Sequence, residues 1–207
     1  MIMRPDRKEN GGICYTTPMN FSAIRTCDVA NGPGVRVALF VSGCRHRCKG
    51  CFNPDTWDFA AGEPWTDAEQ EKVLSACEPV WIQGLSLLGG EPFEPENQEG
   101  LVGLVERVRA ELPDKSIWMY SGHTWEQLTE GEWHLDVTDR ILACVDVLVD
   151  GPWQEENYDI SLRFRGSSNQ RIIDVPSTIE AHAAGELTGN EVVLWEDDPL
   201  FASHDLA

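Results

Sequence analysis

The sequence predicts an α/β protein built on a mostly parallel sheet, and three observations lead there. Apolar, β-branched runs of strand length alternate with stretches of helical periodicity, a pattern that implies parallel strands joined by right-handed helical crossovers. The clearest run, VRVALFV at residues 35–41, is near-continuously apolar rather than alternating, as expected of a strand buried on both faces. Each stretch of unusual loop composition directly follows a predicted strand, and in a parallel sheet such loops gather at one rim.

Taken in order, residues 1–18 are polar, with Gly11, Gly12 and Pro18, and predict a tail or entry segment. Residues 19–28 are mixed and predict a short strand. Asn31, Gly32, Pro33 and Gly34 make a turn cluster. The strand at 35–41 then runs into a loop holding Cys44, Cys48 and Cys51. Thr66 and Glu69 form a capping-box pattern that opens a helix through about Cys77, with Val73, Leu74 and Cys77 on one side. A short strand at 85–88 leads into Gly89, Gly90, Glu91 and Pro92. Residues 97–112 carry Leu101, Leu104, Val105 and Val108 at helical spacing, and Pro113 ends that helix. SIWMY at 116–120 is a further strand, followed by Ser121, Gly122 and His123. Thr124 and Gln127 start a short helix, and 138–144 gives another helical turn or two. VDVLV at 145–149 is a strand that ends in Asp150, Gly151, Pro152 and Trp153. RGSSNQR at 165–171 precedes a last run at 172–175. Beyond Pro176 the composition turns small and acidic, with one more strand-like stretch at 192–195, either an edge strand or part of a flexible appendage. The predicted division is therefore a tail (1–18), one domain (19–175) and an acidic C-terminal extension (176–207).

At 207 residues the chain suits one sizeable core. No run approaches the roughly 18 apolar residues a bilayer span requires. The N-terminus lacks the apolar core of a secretory signal. Both point to a cytoplasmic protein with no membrane partner. Seven cysteines, an odd number, with Cys14, Cys27, Cys77 and Cys144 in no mutual pattern, argue for metal-bound thiolates rather than disulfides. A formal charge of −19, from 35 acidic and 16 basic residues, disfavours nucleic acid as a partner. Cations are nevertheless concentrated: Arg45, Arg47 and Lys49 interleave the three clustered cysteines, and Arg163, Arg165 and Arg171 lie close together. They either form solvated faces, offset negative charge at one site, or dock an acidic surface.

The spacing CxxxCxxC supplies three soft ligands, which suit an iron-sulfur cubane. Three thiolates leave one iron without a protein ligand, and an open position is what distinguishes a catalytic from a structural metal site. Zinc is the competing occupant, with His46 or a distant cysteine completing the set, although the second CxxC pair usual in a zinc knuckle is absent. His46 and His123 show no positioned partner in the sequence and read as ordinary surface or core histidines. Of eight tryptophans, Trp57 and Trp153 stand next to these motifs.

Five stretches, NGPGVRVALFVSG, CRHRCKGCFNPDTW, LSLLGGEPFEPEN, LVDGPW and RGSSNQRIID, together resemble the activating proteins of anaerobic (class III) ribonucleoside-triphosphate reductases, small members of the radical S-adenosylmethionine superfamily. The likeness spans residues 21–174. CxxxCxxC alone indicates only the superfamily; its combination with the other four narrows the match. The resemblance implies a partial (β/α) barrel of the radical S-adenosylmethionine type. It implies that Cys44, Cys48 and Cys51 hold a catalytic 4Fe-4S cluster whose open iron takes the amino and carboxylate groups of S-adenosylmethionine. Reductive cleavage then places a glycyl radical on the reductase, with an electron donor such as flavodoxin or ferredoxin. By the same resemblance Gly89, Gly90 and the Glu91 carboxylate or a strand-end carbonyl meet the ammonium. Backbone of Gly50, Cys51 and Phe52 meets the adenine edge, and Ser121 and Asp150 reach the ribose or methionyl end. Arg165 and Asn169 serve the cofactor or the glycine loop, unless their segment is an internal turn. Many superfamily members place an aromatic residue just before the third cysteine; Gly50 stands there, which puts adenine stacking in doubt. Alternatives are activation of another glycyl-radical enzyme, action on a small molecule such as a deazapurine precursor, and a zinc-binding interaction module without catalysis.

Overall fold

Seven strands form a single sheet in the computed structural model, which describes residues 19–196. The predicted tail, 1–18, and the end of the acidic extension, 197–207, lie outside the described residues. The strands are β1 (Asn20–Asp28), β2 (Val35–Val41), β3 (Glu63–Pro64), β4 (Ile82–Gly89), β5 (Ser116–Tyr120), β6 (Val147–Asp150) and β7 (Arg171–Asp174). The helices are α1 (Asp67–Cys77), α2 (Pro95–Glu111), α3 (Trp125–Thr129), α4 (Asp136–Leu142) and α5 (Val175–Ala184).

The sheet order is β3-β1-β2-β4-β5-β6-β7, so it is open rather than closed on itself. Its centre, β2-β4-β5-β6, is parallel throughout, as the alternation predicts. Its edges are not: β1 is antiparallel to β2 and to β3, and β7 is antiparallel to β6. Connection chemistry explains both departures. Residues 29–34 are too few for a helical crossover, so β1 and β2 must form a hairpin. Residues 151–170 contain no α-helix, and the chain returns antiparallel.

Side chains alternate across the sheet. Val37, Leu39, Val41, Leu85, Leu87, Ile117, Met119 and Leu148 face the helices and form the main core with Leu101, Leu104, Val105 and Val108 of α2. The other face carries Ala38, Phe40 and Leu88, and separately Trp118, Val147 and Val149. Loops cover it: the ring centroids of Phe164 and Trp195 lie 5.3 and 5.0 Å from that of Trp118. The central strands are thus buried on both faces, as the unbroken run at 35–41 predicts.

Past residue 175 the chain continues as α5, with Pro176 in its first turn, where the missing N–H costs nothing. The Asp174 side chain accepts from Ser177 N at 2.9 Å as its N-cap. Residues 192–195 lie against β7 as an added edge: Asp174 N donates to Val193 O and Trp195 N to Ile172 O, both at 2.9 Å.

Arg36 interrupts the apolar face of β2 and is fully buried there. Its guanidinium donates to Ser86 Oγ (2.7 Å), Ser116 Oγ (2.9 Å), Leu85 O and Ser116 O (both 2.8 Å), tying β2 to β4 and β5. Burial lowers its pKa to about 10, which still leaves it charged at neutral pH. The Asn31–Gly34 turn lies over it: Gly32 has φ 126°, and a Cβ there would stand 2.8 Å from Arg36 Cδ. The turn motif therefore covers a buried cation. Replacing Arg36 with Met removes these bonds and strands buried oxygens, so Arg36→Met is expected to lower the unfolding free energy by roughly 3 kcal/mol, read as an earlier urea midpoint with an unchanged slope.

Candidate active site

The carboxyl ends of β2, β4, β5 and β6 open onto one cavity of about 660 Å³. Parallel pairing of β2 with β4 brings the cysteine loop against the Gly89–Pro92 turn, since Val41 and Gly89 are register partners. Gly90 N donates to Val41 O and Glu91 N to Gly43 O, both at 2.8 Å. On its other side the loop is held by Gly43 N to Thr56 O (2.8 Å) and Cys44 N to Trp57 O (3.2 Å). The two glycines serve this junction. A Cβ on Gly90 would lie 2.4 Å from Gly43 O, and Gly89, at φ 117°, would place one 2.7 Å from Val41 N. What approaches the main chain here is the cysteine loop itself.

Each clustered sulfur is met by backbone N–H groups. Those of Arg47 and His46 are directed at Cys44, that of Trp153 at Cys48, and that of Asn53 at Cys51, 3.4 Å from its Sγ. Arg47 adopts φ 48° within this loop. The thiols are free. Burial, then the Glu91 charge, pushes the Cys44 thiol up to about 12, and burial followed by Cys51 raises Cys48. N–H donors are in place for thiolates, while the surroundings oppose their formation until a positive centre arrives. Such a donor set fits a metal or an iron-sulfur cluster.

Glu91 is 1% exposed, and its acceptor capacity is used. Oε1 accepts from Phe93 N and Ser121 Oγ, both at 2.9 Å; Oε2 accepts from Gly122 N at 2.7 Å and lies 3.3 Å from His46 Nε2. Burial opposes its charge, but the His46 contact and the other donors outweigh burial and hold its pKa below the usual carboxylate range. Glu91 in turn raises His46. Burial drops His123 to about 4, so it is neutral; its ring packs 4.2 Å from those of His46 and Trp133. His46 is thus the partner of a buried carboxylate, which its neighbours in the sequence do not disclose. Arg45 N–H donates to Glu94 Oε1 at 2.6 Å, its guanidinium bonds Glu94 and Glu96, and it lies 4.3 Å over the Phe59 ring. Lys49 pairs with Glu155 at 2.7 Å. Two of the three interleaved cations are therefore spent on internal carboxylates.

Of the residues singled out in the sequence, Cys44, Cys48, Cys51, Phe52, Gly89, Gly90, Glu91, Ser121 and Arg165 line the cavity. Gly50, Asp150 and Asn169 do not. Trp153 stands over Gly50, where a Cβ would lie 2.9 Å from its Cη2. Asp150 is buried, accepting from Trp125 N at 2.7 Å and from Arg171 at 2.5 and 3.0 Å. Asn169 Nδ2 donates to Pro152 O at 2.8 Å. The 165–171 segment is an internal turn, with Gly166 N and Ser167 N donating to Gln170 Oε1 and Arg165 Nη1 to Gln170 O. Lining residues that the motifs did not bring forward include Tyr120, the last residue of an apolar strand. Its hydroxyl, like Nε1 of Trp57 and of Trp153, is buried without a protein partner among the described residues. These three donors remain unsatisfied around the cavity, and His46 Nε2, although 3.3 Å from Glu91 Oε2, makes no well-formed hydrogen bond among the described residues either.

Residues 30–173 match the family of the 4Fe-4S single cluster domain. The chain is similar to the anaerobic ribonucleoside-triphosphate reductase-activating protein of Vibrio cholerae serotype O1, 42% identical over 156 residues, covering 74% of this chain and 97% of that protein. Its counterpart in Escherichia coli K12 is 40% identical over 156 residues, with coverages of 74% and 97%. That of Enterobacteria phage T4 is 40% identical over 154 residues, with coverages of 74% and 93%.

Because Gly90 meets backbone rather than a movable side chain, Gly90→Ala is expected to destabilise the metal-free protein by about 2 kcal/mol in urea denaturation. An unchanged midpoint would mean that the cysteine loop is not seated on the strand end.

Proposed function

This chain belongs to the family of anaerobic ribonucleoside-triphosphate reductase-activating proteins, and from that premise we propose that it cleaves S-adenosylmethionine reductively and generates a glycyl radical on such a reductase. One observation carries the reading: Cys44, Cys48 and Cys51 are the cysteines on the cavity wall, and His46, the nearest candidate fourth ligand, faces Glu91. Among the other described cysteines, Cys77 and Cys144 are buried in the main core and Cys27 is exposed on β1. Three sulfurs, with no fourth beside them among the described residues, suit a cubane with one iron left open.

Cys44, Cys48 and Cys51 would hold a 4Fe-4S cluster there, which would supply the single electron for reductive cleavage of S-adenosylmethionine and so the radical chemistry directed at a glycine of the reductase. The chain's own work is positional. Arg45, the residue after Cys44, is clamped by Glu94 and Glu96 and so anchors the start of the cysteine loop. Glu91, bonded by Phe93, Ser121 and Gly122 and facing His46, fastens the ends of β4 and β5 together, and on this reading the Gly89–Gly90 backbone on the cavity wall meets the ammonium. On this reading the parallel centre of the sheet is a partial (β/α) barrel of the radical S-adenosylmethionine type, with its chemistry at the strands' carboxyl ends. The electron comes from a carrier such as flavodoxin or ferredoxin. No described helix is long and apolar enough to cross a membrane, which is compatible with such a carrier working in the cytoplasm.

Anaerobic purification should give a brown protein with about four irons per chain. Cys48→Ala is expected to lose that iron and Cys144→Ala, in the core away from the cavity, to keep it. Stoichiometric zinc in place of iron would reject the cluster. With reductant, S-adenosylmethionine and the anaerobic reductase, electron paramagnetic resonance should detect a glycyl radical; cofactor cleavage without that signal would remove the reductase as target.

A further inference from the structure

We infer that Trp153 is the residue that binds the adenine ring, an assignment resting on the reading of the cavity as an S-adenosylmethionine site. Trp153 arrives from the turn after β6, where Gly151 has φ 98°, and shares the cavity wall with Cys48 and Cys51. The side chain therefore stands directly beside the cysteine loop.

Two glycines make room for the indole. On the benzo edge, a Cβ on Gly50 would lie 2.9 Å from Cη2 and 3.1 Å from Cζ3. On the pyrrole edge, a Cβ on Gly166 would lie 2.8 Å from Cδ1 and 2.9 Å from Nε1. Phe52 meets the ring edge-on, with centroids 5.8 Å apart and planes at 78°. These contacts fix the ring at its edges while it lines the cavity.

Its Nε1–H is buried and has no acceptor among the described residues. Indole nitrogen only donates, and a buried donor left alone costs free energy that a ligand acceptor would return. A fixed aromatic face suits a flat heteroaromatic ligand stacked on it, and the in-plane N–H, which cannot reach a ring stacked on that face, is left for another acceptor of the same ligand. Within S-adenosylmethionine only the adenine meets that description. The methionyl end has no ring to stack and no ring nitrogen. Lys49, bonded to Glu155 from the same stretch, ties the 151–158 segment to the cysteine loop at a second point, so the indole and the three sulfurs are held in one frame.

The test uses the full chain loaded with its cluster, kept anaerobic, with S-adenosylmethionine, 5′-deoxyadenosine and L-methionine as separate probes in equilibrium dialysis. Trp153→Leu keeps an apolar side chain over Gly50 but removes the aromatic face and the donor. It is expected to bind S-adenosylmethionine and 5′-deoxyadenosine about tenfold more weakly, as loss of one base-stacking contact does, with L-methionine binding and iron content unchanged. Trp153→Phe, which keeps a face without the N–H, should fall between the two. Equal binding of 5′-deoxyadenosine by wild type and Trp153→Leu overturns the assignment. Loss of iron in both variants overturns it too, since Trp153 would then be a prop for the cysteine loop. If the iron-loaded wild type binds no S-adenosylmethionine, the reading of the cavity fails first and takes the assignment with it.

Discussion

Backbone hydrogen bonds between the loops leaving β2 and β4 hold the cysteine loop in place before any cofactor is involved. Gly90 N to Val41 O and Glu91 N to Gly43 O join the loops, and the 2.4 Å that a Cβ on Gly90 would leave to Gly43 O shows how closely they approach. That approach exists because β2 and β4 are neighbours and parallel, so both deliver their chains to the same rim. The sheet order is thus a requirement of the site. Buried Arg36, reaching from β2 to Ser86 and Ser116, ties these two strands and β5 together.

Electrostatics around the cysteines follow one pattern. Buried carboxylates, Glu91 and Glu94, stand against the loop and each face a basic side chain from within it, His46 and Arg45. Such pairs cost desolvation and return little net stability, but breaking one leaves an uncompensated buried charge. Their effect is to fix geometry: the loop has few ways to move that keep both pairs. The strongly negative chain therefore uses Arg45 for an internal tie, while Lys49 pairs with Glu155 at the exposed surface.

Much of this was legible from residue order. The unbroken apolar run at 35–41 identified a strand covered on both faces, and TDAE and Pro113 marked helix ends close to those of α1 and α2. Placing the cysteine loop, the Gly-Gly turn and Trp153 on one rim needed only the inference of parallel strands. The antiparallel edges were less visible, because strand direction depends on whether a connection holds a helix, and the 151–170 stretch gives weak local signals. Helix α5 was missed because Pro176 reads as a stop, although at a first turn it is a start. The His46–Glu91 pair joins residues far apart in sequence, and no periodicity announces it. Gly50 looked like a missing aromatic; in three dimensions its lack of a side chain is what admits Trp153. Asp150 and Asn169 lie outside the cavity lining, and their side chains bond Trp125 N and Pro152 O instead.

The central claim is that three side chains hold the cluster and one iron is left to the cofactor. Mössbauer spectroscopy of protein reconstituted anaerobically with ⁵⁷Fe tests it most directly. The account predicts a spectrum in which one iron separates from the other three when S-adenosylmethionine is added. Four irons that respond identically, or a distinct iron that the cofactor does not perturb, would mean that the protein itself fills the fourth position, and would contradict it.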